Sequence, residues 1–173
     1  MIIKELEEDN KENKKSWTTY NNNMKKILNK NIVIIGLTFF VPGIIAFLCK
    51  NSFSIYKLLV RPKIAPPAIV FPIAWNILYL LMSIAYILVK NNDESNMKIY
   101  YFQLILNALW TPLFFVFKWY LFAALELVFL LIIVIYMTYK FYIDDKKTLY
   151  LLLPYTLWVT FALYLNLYIS IYN

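Results

Sequence analysis

Five apolar stretches, at residues 32–49, 70–89, 99–117, 120–141 and 149–171, limit what this chain can fold into. A helix needs about 20 apolar residues, in a range of roughly 17–25, to cross a hydrocarbon core about 30 Å thick. The stretches fall in that range and are apolar all round, as in Leu-Val-Phe-Leu-Leu-Ile-Ile-Val-Ile-Tyr at 127–136. A barrel strand would alternate with period two over about ten residues. Helices also satisfy their backbone hydrogen bonds within each segment, which hydrocarbon demands. The expectation is an all-α membrane protein, a bundle of five transmembrane helices embedded in a lipid bilayer. Its hydrophobic content of 62% exceeds the roughly 45–50% of a soluble domain.

The 173 residues suffice for one such domain at 31–173, preceded by a tail at 1–30. The tail is polar and rich in Asn and Lys, so a disordered or weakly helical segment is expected. It is not a signal peptide, because the first apolar run begins late and is long enough to span. The short connectors at 90–98 and 144–148 predict antiparallel neighbours, while the 50–69 connection is a longer loop. Ten lysines sit on the N-terminal side of the predicted topology (14, 15, 25, 26, 30, 90, 98, 140, 146 and 147). Lys50, Lys57, Arg61, Lys63 and Lys118 sit on the other. The positive-inside rule then places the tail in the cytoplasm.

Charge and composition exclude several functions. The net charge of +7 flanks apolar runs instead of forming a basic stripe on a soluble domain, so no nucleic-acid partner is expected. The absence of His and the single Cys49 rule out a disulfide within the chain and a His/Cys metal site. Hydrolytic templates fail too. There is no His for a Ser-His pair and no Gly-rich phosphate loop, and Glu126 is the one acid well inside a span. No catalytic residue is assigned, and no cofactor is required.

Polar groups inside spans are costly and mark candidate sites. On the third helix Gln103, Asn107, Trp110 and Phe114 recur at spacings of four, three and four and share one face. They form either a pocket wall or an interhelical hydrogen-bonding seam, the latter worth about 0.6 kcal/mol per bond. On the fifth, Tyr155, Trp158, Ala162 and Asn166 form a similar stripe bordered by Phe161, and packing is its plainer reading. Phe71, Trp75 and Tyr79 line one face of the second helix, which Pro66-Pro67 introduces. Glu126 is a proton relay, a partner for an amide such as Gln103, or a protonated or snorkelling side chain. An apolar, aromatic cavity with a few amides suits a flat hydrophobic ligand.

The segment Arg61-Pro62-Lys63-Ile64-Ala65-Pro66-Pro67, followed by Phe71, Trp75 and Leu78-Tyr79, resembles the signature of the TspO/translocator family. The likeness continues through Gln103-Leu104, Asn107, Trp110, Pro112 and Phe114-Phe115. It then takes in Ala123, Glu126, Pro154-Tyr155, Trp158, Phe161-Ala162 and Leu165-Asn166, and covers about 31–173. The resemblance implies a five-helix bundle, often a homodimer, that binds porphyrins such as protoporphyrin IX or haem in a cavity beneath the first loop. Phe71, Trp75, Asn107, Trp110, Trp158, Phe161 and Ala162 would line the cavity. Arg61, Pro62, Ile64, Pro66 and Pro67 would form the lid. The resemblance further implies a role in tetrapyrrole regulation or stress response, in a bacterial-type cell membrane or, alternatively, the mitochondrial outer membrane. Light-dependent porphyrin degradation and small-molecule transport are the alternatives. Ile64 stands where the family lid has Trp, which weakens degradation because an isoleucine is neither a stacking platform nor an electron donor. The cholesterol motif of animal members needs a cation after its Tyr, and none follows Tyr168.

Overall fold

In the computed structural model the backbone is described from Ile2 to Asn173 and the side chains from Lys14 onward. Met1, part of the expected tail, lies outside the described residues. Five helices account for most of the chain: α1 (Ile2–Cys49), α2 (Val70–Val89), α3 (Glu94–Thr111), α4 (Tyr120–Asp144) and α5 (Thr148–Tyr172). A 3-10 helix, Lys50–Lys57, follows α1, and a π-helical turn, Pro112–Val116, extends α3. Among the described residues, five segments are long and apolar enough to cross a membrane. Contacts divide the chain into two compact units, Met1–Ile34 and Ile35–Asn173.

The first unit, where the polar composition predicts a disordered or weakly helical tail, is helical from Ile2. Residues 14–30 are helical, and the Thr18 and Thr19 hydroxyls bond back to the carbonyls of Lys14 and Lys15 at 2.7 and 2.9 Å. The apolar residues of this segment, sparse as a fraction, recur at spacings of three and four. Average polarity hides that period.

In the second unit α4 and α5 make the most extensive pair, with α3 against α4 and α2 against α5. The buried side of α4 reads Ala123, Leu127, Leu130, Val134, Met137 and Phe141, alternating steps of four and three. Its other side leaves Phe122, Leu125, Phe129, Ile132 and Tyr139 exposed. These outward residues are as apolar as the core, as lipid contact requires, and small Ala123 and Ala124 let neighbouring helices approach. Pro42 and Pro154 lie within α1 and α5 without ending them.

The turns are built from local polar contacts. Asp93 caps α3, accepting from the Ser95 amide at 2.8 Å and from Lys140 of α4 at 2.7 Å. These bonds hold its carboxyl well below the ordinary carboxylate range. Asn96 donates to the Val89 carbonyl at 3.0 Å and to the Asp144 carboxylate, closing the same end of the bundle. The capped start places α3 five residues earlier than the apolar run alone suggests. At the other end the π turn bonds Phe117 N to the Pro112 carbonyl, and Lys118 adopts a left-handed conformation (φ 57°) that turns the chain into α4.

A left-handed conformation costs a side-chain-bearing residue roughly 1–2 kcal/mol, less the entropy glycine would lose on folding. Lys118→Gly is therefore expected to stabilise the protein by about 1 kcal/mol, raising the apparent Tm by about 2–4 °C. Thermal exposure of buried Cys49 to a thiol-reactive dye in detergent reads this out; an unchanged or lower Tm contradicts it.

Candidate functional site

Side chains of one face each of α1, α2 and α3 leave a cavity of about 360 Å³ within the second unit. Phe39, Pro42, Gly43 and Ala46 of α1 form one wall. Phe71, Trp75 and Tyr79 of α2 face Asn107, Trp110 and Thr111 of α3, while Phe53 and Tyr56 of the 3-10 helix close one end. The walls are rings held against rings. Trp75 stacks on Tyr79 with centroids 5.5 Å apart, Phe39 meets Tyr79 edge-on at 5.9 Å, and Tyr56 meets Phe71 at 5.3 Å. Aromatic pairs in such arrangements gain about 0.5–1.5 kcal/mol beyond the area they bury.

Beneath this cavity a hydrogen-bonded chain crosses three helices. Tyr79 donates to Asn107 Oδ1 at 2.9 Å, Asn107 donates to the Tyr155 hydroxyl at 3.3 Å, and Tyr155 donates to Gln103 Oε1 at 2.7 Å. A second bridge runs from Trp110 Nε1 to Asn166 Oδ1 at 2.9 Å and from Asn166 to the Tyr120 carbonyl at 2.7 Å. Gln103 and Asn166 are therefore interhelical ties, and Asn107 is both a tie and part of the cavity wall. The tie at the first helix is Thr38 with Tyr100 at 2.6 Å.

The predicted residues separate into groups. Phe71, Trp75, Asn107 and Trp110 line both the cavity and a smaller adjoining crevice of about 30 Å³, whereas Trp158 and Ala162 line the crevice alone. Trp158 lies edge-on to Phe71 at 6.0 Å and to Trp75 at 6.4 Å, so it backs the wall from behind. Phe161 lines neither space and packs on Trp158 at 5.9 Å. Among the described residues neither carboxyl oxygen of Glu126 has a hydrogen-bond partner, and Gln103 Nε2 has none either. The anticipated Glu126–Gln103 pair does not form.

The loop before α2 is fastened at the cavity mouth by Tyr56. Its hydroxyl donates to the Pro66 carbonyl at 3.0 Å, and the Arg61 guanidinium lies 4.5 Å over its ring. Asn173 grips the loop from α5, accepting from Val60 N at 2.9 Å and donating to Val60 O at 3.1 Å. Arg61, Pro62, Pro66 and Pro67 line an open depression on the outer side of this loop. Ile64 is 62% exposed and belongs to neither the depression nor the cavity. The missed contributors include Phe39, Pro42, Ala46, Phe53 and Tyr56, and the polar Asn76 and Thr111. The steps of three and four from Phe39 through Pro42-Gly43 to Ala46 were a readable signal for the α1 wall. Among the described residues no cluster of three or more His, Cys, Asp or Glu exists that could hold a metal.

Residues 32–172 match the TspO/MBR family. A tryptophan-rich protein TspO from Chlorobaculum tepidum is 34% identical over 117 residues, covering 64% of this chain and 74% of that protein. A tryptophan-rich sensory protein from Cereibacter sphaeroides is 35% identical over 113 residues, covering 64% and 72%. Protein CrtK of Rhodobacter capsulatus is 31% identical over 145 residues, covering 76% of this chain and 91% of that protein. With the match spanning all five apolar segments, the chain belongs to the TspO/MBR family of multi-pass membrane proteins.

Proposed function

We propose that this protein is a membrane sensor that binds porphyrins, protoporphyrin IX or haem, or similar flat apolar ligands in the cavity between α1, α2 and α3. The observation that carries the reading is the stacked Trp75–Tyr79 pair facing Trp110 across an apolar space of about 360 Å³. That volume lies within the roughly 300–1,000 Å³ of small-molecule sites, which are mainly apolar with a few oriented polar groups. Here those groups are Asn76, Tyr79, Asn107 and Thr111. The planar indole and phenol faces suit an extended π-system. Arg61, stacked over Tyr56 at the mouth, suits an anionic edge such as a porphyrin carboxylate. The reading assigns binding and signalling to the protein and no chemical step to its side chains. It is placed in a bacterial-type cell membrane with the tail in the cytoplasm, and homodimerisation is part of the proposal.

Quenching of intrinsic tryptophan fluorescence by protoporphyrin IX, in nanodiscs, tests the assignment. Trp75→Ala is expected to raise Kd by about 3–12-fold, the loss of one stacking platform. Ala46→Phe, which fills the α1 side of the cavity, should weaken binding by tenfold or more, on the order of 1.4 kcal/mol. Unchanged affinity in both variants, each shown folded by its elution profile, sinks the cavity assignment.

The hydrogen-bonded chain beneath the cavity makes a separate prediction. Tyr155→Phe leaves Gln103 Oε1 without its donor and Asn107 Nδ2 without its acceptor, at a cost of about 0.6 kcal/mol for each average intramembrane bond. Tyr155 does not line the cavity. The variant should lose about 2–5 °C of Tm, on the order of the figure for domains of this size, and keep its Kd within about twofold. A large affinity loss with unchanged Tm would mean that Tyr155 meets the ligand.

A further inference from the structure

The helical segment 14–30 carries a feature that ligand binding does not use. Trp17, Tyr20, Met24, Ile27 and Leu28 are all 49–65% exposed. At 3.6 residues per turn they fall within an arc of about 100°, the width of a buried stripe on an amphipathic helix. Trp17 and Tyr20 touch edge-on at 6.2 Å, so the stripe begins with two paired aromatic rings. The same segment holds Lys14, Lys15, Lys25, Lys26 and Lys30 and no acidic residue. By the same geometry Lys15 and Lys26 lie opposite the stripe. Lys14 and Lys25 flank one edge, and Lys30 flanks the other.

We infer that segment 14–30 docks its apolar stripe into the interfacial layer of a bilayer surface rich in anionic lipid, as a second membrane-binding site on the chain. Three observations select lipid over other partners. Lysines flanking an apolar arc can extend to headgroup phosphates while the arc sinks among acyl chains. Trp and Tyr favour that layer, where one end of the ring is apolar and the other wet. The segment is also tethered, since the first apolar run begins at Ile32, so the lipid surface is its nearest neighbour. A second copy laid alongside in the same orientation would instead bring like charge against like. Docking requires α1 to turn in Asn29-Lys30-Asn31, where asparagine, a poor helix former, occurs twice. The stripe then responds to surface charge, each lysine contributing about a fivefold factor to the docked population on anionic membranes.

The full chain with Cys49→Ser can carry one spin label at a time, introduced as Tyr20→Cys or Met24→Cys on the stripe, or Asn22→Cys or Lys26→Cys opposite it. Power saturation in nanodiscs containing phosphatidylglycerol should find labels at 20 and 24 more accessible to oxygen than to an aqueous nickel chelate. Labels at 22 and 26 should show the reverse. Replacing Lys25 and Lys30 by Gln, with the label at 20, should lower the docked-to-free ratio by about fivefold per lysine. Three results overturn the inference: equal nickel accessibility at all four positions, docking unchanged in purely zwitterionic discs, or spin–spin broadening at 20 and 24 that disappears on dilution with unlabelled protein. The last would assign the stripe to a second copy.

Discussion

Hydrocarbon offers no partner to a backbone N–H or C=O, and that one constraint organises this protein. It makes each apolar run a helix, and it removes the usual reason for an apolar residue to face inward, since lipid is as apolar as the core. Phe122 and Phe129 on the outside of α4 are no less hydrophobic than Leu127 and Leu130 inside. What distinguishes inside from outside is polarity and, where helices approach closely, small size. Ala123, Ala124 and Ala162 face inward, and so do the buried Thr38, Asn96, Gln103, Asn107 and Asn166. Each of these polar side chains ties one helix to another or to a connecting turn, and together they set which faces meet.

The cavity is a by-product of the same economy of contact. Large rings on α2 and α3 meet across α1, which contributes Phe39 and the smaller Pro42, Gly43 and Ala46. Small residues opposite large ones leave a space that neither fills, and the rings keep it from collapsing by bracing one another, Trp75 on Tyr79 and Trp158 behind both Phe71 and Trp75. The loop at its mouth is held by Tyr56 at one end and by Asn173 at the other. Access thus depends on contacts far smaller than those holding the bundle, which is where a binding protein places its mobile parts.

Much of the bundle was legible in the residues, for a reason specific to membranes: the length of an apolar run is itself the element. The second helix was expected at 70–89 and is Val70–Val89, and the fourth and fifth differ from expectation by three residues or fewer. The third was read late because its first turn, Glu94-Ser95-Asn96, is polar and looks like connector until Asp93 is seen capping it. The π turn at Pro112 had no sequence signal beyond the proline. At the site, spacing identified the faces of α2 and α3 but not which stripe would border open space. Trp158 and Ala162 share a helix face as regular as that of Trp75 and Tyr79, yet they border only the smaller crevice. Periodicity reports which residues share a face, and only packing decides whether that face is filled.

The central claim is that a planar apolar ligand sits among the rings of α1, α2 and α3 and not on the equally aromatic outer surface. Photo-crosslinking with a diazirine-bearing porphyrin, followed by peptide mass spectrometry, addresses that directly. The account predicts competed adducts on Phe71, Trp75, Tyr79 and Trp110, lost when unmodified porphyrin is in excess. Adducts confined to outward residues such as Phe40, Phe122 and Phe129 would contradict it.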